Sequence, residues 1–188
     1  MTTIVGISGS LRRGSFNASV LRAAAMLAPE DCEVRIETIA DIPLYNGDDE
    51  VANGIPPAVA RLKDAIATAD GLLIVTPEYN NSIPGVTKNV IDWLSRPPAD
   101  VPRVFRDKPV ALAGASPSNF GTVLSQNAWL PVLRTLGADL WSGRLLVPRA
   151  GALIDANGVI IDAELRDRIQ KFIAGFTAHV RAKYPPRR

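Results

Sequence analysis

Only one cysteine, Cys32, and one histidine, His179, occur in the 188 residues of this chain. A lone cysteine forms no intramolecular disulfide and no cysteine-based metal cluster. Any Ser-His-Asp or Cys-His catalyst would have to recruit His179. That residue lies in a C-terminal helical pattern, far from any nucleophile-like motif, and reads as a surface or packing histidine. Neither sign of charge dominates: 21 Lys and Arg against 19 Asp and Glu leave +2. There is no dense basic run interleaved with aromatics, so nucleic acid is not an expected partner. No apolar run approaches the length that crosses a bilayer, and residues 1–15 lack the apolar core of a signal peptide. A cytoplasmic protein with no membrane partner and no metal is the expectation.

What is present is a large apolar fraction, 47% of residues, enough for one sizeable core. One domain over 1–188 is expected. The periodicity alternates along the chain. TIVGIS (3–8), EVRIETI (33–39), GLLIVTP (71–77), KPVALAGAS (108–116) and LWSGRLLVP (140–148) read as strands. In the second, Val34, Ile36 and Thr38 share one face. Residues 17–27, 56–69, 84–95, 125–137 and 163–183 carry helical stripes, the last with Ile169, Phe172, Ile173 and Phe176 on one face. Pro131 must kink the fourth helix or sit near its start. Five alternating β-α units imply an α/β fold: an open parallel sheet between two helical layers, in strand order 2-1-3-4-5. The stretch 148–162 reads as a long loop, and the closing KYPPRR as a frayed tail or an oligomer contact.

Ligands of such sheets bind beyond the carboxyl ends of the strands. After the first strand comes GSLRRGSFN (9–17). Its glycines permit close approach of a ligand to the backbone. Ser10, Ser15 and Asn17 are short donors, Ser15 or Asn17 suits a helix cap, and the arginine pair Arg12-Arg13 offers a guanidinium to a phosphate. The pattern is neither a P-loop nor GxGxxG. After the third strand, PEYNNSIPG (77–85) is stiffened by a proline at each end. Ser82 is a plausible cap for the following helix, and Ile83, preceding Pro84, must be extended. The loop suits the rim of a planar polar ring. Glu78 is read as bonded to backbone amides rather than as a catalytic base. Trp93 reads as packing or a subunit contact.

These two segments, with IADIPLYNGDDE (39–50) between them, resemble the NADPH-dependent FMN reductase family, which includes bacterial quinone and chromate reductases. The resemblance runs over residues 3–150. It implies a flavodoxin-like three-layer sandwich, noncovalent FMN, NADPH or NADH as co-substrate, and a homodimer or homotetramer. It carries Ser10, Arg12, Ser15 and Asn17 onto the FMN phosphate. It carries Pro77, Glu78, Tyr79, Asn80 and Ser82 onto the isoalloxazine and ribityl side. Arg13 falls on a more variable position. In GASPSNFGTVLSQ (114–126), Ser116 is expected at the pyrimidine side, with Ser118, Asn119 and Gly121 as further candidates. This loop departs from the family pattern, with Thr122 after Gly121 and Leu124 where an arginine is expected before Gln126.

The implied chemistry is two-electron: hydride from NAD(P)H to flavin N5, then reduction of a quinone, azo compound, free flavin or chromate. The flavin supplies the chemistry, so no catalytic side chain is required. The alternative is a flavodoxin-type electron carrier without substrate turnover. Such carriers are usually strongly acidic, and this chain is not.

Overall fold

A computed structural model describes residues 1–183. The chain end from Tyr184, where the frayed tail or oligomer contact was expected, lies outside them. The strands are β1 (Thr2–Ser8), β2 (Cys32–Glu37), β3 (Gly71–Val75), β4 (Pro109–Ala115) and β5 (Asp139–Val147). They form one parallel sheet in the order β2-β1-β3-β4-β5. The central strands β3 and β4 are buried along their whole length, which is why they read as unbroken apolar runs.

Helices α1 (Phe16–Met26) and α8 (Ala163–Lys183) cover one face. Val20, Leu21, Ile169, Phe172 and Phe176 form that core with Ile4, Leu73 and Ala113. The other face is covered by α3 (Pro57–Thr68), α4 (Gly85–Leu94) and α6 (Val123–Thr135). There Leu62, Ile66, Val90, Ile91, Trp129 and Leu133 pack on Val5, Ile7 and Ile74. Helix α8 matches its expected bounds, because six of its seven buried residues, all but Thr177, are apolar or aromatic. The other expected elements shift by no more than two residues at either end.

The five-helix expectation is incomplete. Three shorter helices also form: α2 (Gly47–Asn53), α5 (Val101–Val104) and α7 (Ala150–Leu153). Helix α2 buries none of its residues. It is defined by polar chemistry instead, with an Asn46 side-chain cap and Asp48, Asp49 and Glu50 in its first turn. The long 148–162 loop therefore contains α7. Pro131 sits inside α6 rather than near its start. On the edge strand β2, Val34 is buried, whereas Ile36 on the same face is 47% exposed, since the helical cover ends before it.

The Ser82 cap is also corrected. Tyr79 and Ser82 exchange both backbone hydrogen bonds, at 3.2 and 3.0 Å. Between them Asn80 and Asn81 have φ of 50° and 60°. Two consecutive left-handed residues are what a type I′ turn needs, and asparagine tolerates them best after glycine. Ser82 thus closes a tight turn, and α4 begins after Pro84 with no side-chain cap.

Candidate functional site

Three loops meet at the carboxyl ends of β1, β3 and β4. A cleft between them is lined by Ser10, Arg12, Ser15, Phe16, Asn17, Pro77, Glu78, Tyr79, Ala115, Ser116 and Pro117. All but Phe16, Ala115 and Pro117 were expected from the sequence. Those three are apolar neighbours of polar candidates, and only their place at a strand end or helix start marks them. Asn80, at the turn tip, and Ser82 do not line the cleft.

The first loop leaves several donors without a protein partner among the described residues. Ser15 caps α1 with extended φ and ψ, and its Oγ accepts from Ala18 N–H at 3.3 Å. The N–H groups of Phe16 and Asn17 have no partner inside the helix, as in any first turn, and no acidic residue offsets the positive helix end. Arg12 has no carboxylate partner among the described residues. Arg13 is absent from the lining.

Asn17 has a second task. Its Nδ2 donates to Ala115 O at 2.9 Å, and Ala115 N–H donates to its Oδ1 at 2.8 Å. The buried amide therefore fastens the start of α1 to the end of β4. A similar fastening joins the first and second loops. Thr87 Oγ1, fully buried on α4, donates to Gly9 O at 3.0 Å. A Cβ on Gly9 would stand 2.4 Å from Thr87 Oγ1 and 3.0 Å from Pro77 Cδ. Only glycine allows that approach.

Glu78 is bound to backbone. Its Oε2 accepts from Leu124 N–H at 2.8 Å and Ser125 N–H at 3.0 Å. Ser116 is half engaged: its hydroxyl donates to Ser118 Oγ at 2.7 Å and accepts from Ser118 N–H at 2.9 Å. Thus the cleft offers free donors and no free carboxylate oxygen other than Glu78 Oε1. That donor set fits a phosphate ester. The enclosed volume is about 60 Å³. A cavity holding one water needs roughly 10–15 Å³. The closed end therefore has room for a small anionic group.

His179 and Trp93 lie away from this cleft. His179 Nε2 is 3.2 Å from Asp139 Oδ2, at the first residue of β5 and so at the opposite end of the sheet. Trp93 is 1% exposed, donates Nε1–H to Pro43 O at 2.8 Å and meets Tyr45 edge-on. It is a packing residue. Among the described residues no group of His, Cys, Asp or Glu could hold a metal ion, and no helix is long and apolar enough to cross a membrane.

The family model for NADPH-dependent FMN reductases matches residues 2–151. The chain belongs to that family. It is 41% identical over 179 residues to an NAD(P)H-dependent FMN reductase of Pseudomonas aeruginosa, covering 95% of each chain. It is 40% identical to a 2-hydroxy-1,4-benzoquinone reductase of a Burkholderia species, covering 95% of this chain and 96% of that one. Among solved structures it matches FerB of Paracoccus denitrificans, a flavoenzyme NAD(P)H:(acceptor) oxidoreductase. The TM-score is 0.85 at 32% identity, covering 97% of this chain and 98% of the other. Members of the family with this flavodoxin-like fold are oxidoreductases that use FMN and NAD(P)H, and so is this chain.

Proposed function

We propose that this chain, as a single FMN-binding unit, oxidises NAD(P)H and reduces quinones. Free flavin, azo compounds and chromate are further acceptors. The observation that carries the reading is the convergence of three strand-end loops on one cleft, where Arg12 and the first-turn amides of α1 are left to donate and the one carboxylate is tied down. Ser10, Ser15, Arg12 and the first-turn amides of α1 hold the phosphate of FMN. Pro77, Tyr79 and Ser116 line the rim against which the ring lies, with Asn80 and Ser82 shaping the turn behind it. When bound, FMN supplies the chemistry by accepting an electron pair from NAD(P)H and passing it to the acceptor. The side chains bind and orient; none is required as an acid or base. Quinone acceptors are favoured because relatives of nearly full length are named for them.

A homodimer or homotetramer goes with this reading. Helix α2 buries nothing in the lone chain, and its seven residues are too few to persist unaided in water. Leu44 and Val51, beside and within it, are 81% and 89% exposed. A second copy covering them explains why this segment is apolar at these points. A cytoplasmic location is also proposed, where the reduced coenzyme is replenished.

The test is direct. Purified protein should carry or take up FMN, seen as a flavin absorption spectrum, and should oxidise NADPH or NADH steadily when benzoquinone is added. Protein that stays colourless with excess FMN overturns the reading. Flavin uptake without quinone-dependent turnover would restore the electron-carrier alternative.

A further inference from the structure

The loop after β4 departs from the family pattern at Leu124, and here the structure shows an unusual substitute for a helix cap. Helix α6 starts after Thr122, which makes no side-chain capping bond. The amides of Leu124 and Ser125, in the first turn, have no intrahelical partner. Both donate instead to Glu78 Oε2, from a loop 46 residues earlier. Directly beneath, Thr76 Oγ1 lies 3.2 Å from Ser125 Oγ in a buried hydroxyl pair, and Trp129 Nε1–H reaches the same Thr76 oxygen at 3.4 Å. The strand-end segment 76–78 and the first turn of α6 are thus joined at two levels.

We infer that Glu78 is a positioning residue. It caps α6 from outside the helix and so fixes the two loops that form the ring side of the cleft relative to one another. Its carboxylate suits that place twice: one oxygen takes two N–H groups, and its charge faces the positive end of the helix. It stands at the base of the Tyr79–Ser82 turn, so the clamp sets where Tyr79 meets the cleft. The family resemblance carried Glu78 onto the flavin itself; here its bonded oxygen serves the protein. This inference rests on the FMN reading only for its consequence in binding. The clamp itself is independent of it.

The experiment compares Glu78→Ala and Glu78→Gln with the wild-type protein, by amide hydrogen exchange at Leu124 and Ser125 without FMN and by FMN titration. Hydrogen bonds to an ionised acceptor are among the stronger ones, and removing the carboxylate takes both from the first turn of α6 at once. Glu78→Ala should therefore speed exchange at both amides by roughly tenfold or more, and weaken FMN binding by about tenfold. Glu78→Gln keeps an acceptor oxygen at the same distance, so it should hold both quantities within about threefold of wild type. Unchanged exchange in Glu78→Ala would show that no clamp exists. Faster exchange with unaltered FMN affinity would keep the clamp and remove its role in positioning. Equal loss of FMN in both variants, with exchange preserved in Glu78→Gln, would mean that the charge acts on the ligand directly. A wild-type protein that takes up no FMN would sink the cofactor reading, while the exchange measurement would still decide the clamp.

Discussion

Arg12 lines the cleft and Arg13, its neighbour in sequence, does not. No ion pair restrains Arg12 among the described residues, so its guanidinium is available to a phosphate. A charge-assisted bond contributes about 1.5–3 kcal/mol. Arg12→Ala should then weaken FMN binding roughly tenfold to a hundredfold by fluorescence titration, with the melting temperature of the FMN-free protein unchanged. Arg13→Ala should leave affinity within about twofold, as an exposed charge away from the ligand does. Equal losses from the two variants would mean that the phosphate is held elsewhere. The separation of these two arginines was legible only through the resemblance. Local chemistry made them equivalent, because which side of a loop faces a cleft is set by distant packing. Glu78 shows the same limit. Its type suggested bonding to amides, yet nothing local named Leu124 and Ser125, 46 and 47 residues away.

Elements are tied together at the cleft by residues that also look like ligands, and mutation separates the two roles. Asn17 holds both backbone groups of Ala115, at 2.8 and 2.9 Å, and is 4% exposed. Removing its amide orphans a buried N–H and a buried C=O. Asn17→Ala should cost about 2 kcal/mol in urea unfolding of the FMN-free protein. Stability unchanged by this variant would contradict the fastening of α1 to β4. Gly9→Ala tests the neighbouring contact. The added Cβ meets a buried hydroxyl on α4 and the Pro77 ring, so an overpacking loss of about 1–3 kcal/mol is expected by thermal melting. Strands and long helices were legible because burial imposes a period on them. Helices α2, α5 and α7 were not, for two reasons. Four-residue helices are too short for any period to show. Helix α2 has no buried stripe. The Tyr79–Ser82 turn was missed for a different reason: a serine before a helix reads as a cap, whereas the asparagine pair ahead of it had already committed the backbone to a tight reversal.

At the scale of the whole molecule, the sheet and its two helical layers are fixed by apolar burial, while the response to acid is set at the periphery. Lys63 is 2% exposed and bound to Asp100 and to the carbonyl of Arg96. Its hydrogen bond, followed by the charges of Lys63 and Arg103, holds the Asp100 carboxyl below its usual range. Glu50 is lowered by its bond from Arg96, and Asp31 by its bond from Arg181. In the unfolded chain these groups take up protons near pH 4, at ordinary values. The folded chain therefore binds fewer protons in that range, and by linkage its stability rises with pH there. The contribution is complete above about pH 4 and is lost as pH falls through the depressed folded values. Urea midpoints of the FMN-free protein should thus be flat from neutral pH to about 5 and decline toward 3. Asp100→Asn should cost about 2 kcal/mol at neutral pH, less than for a fully buried pair because Asp100 is 30% exposed. The same variant should have a shallower decline in acid, since one of the linked protons is gone. Midpoints that run parallel to wild type down to pH 3 would mean that Asp100 contributes nothing to acid sensitivity, and that the loss of stability lies with Glu50, Asp31 and the other paired carboxylates.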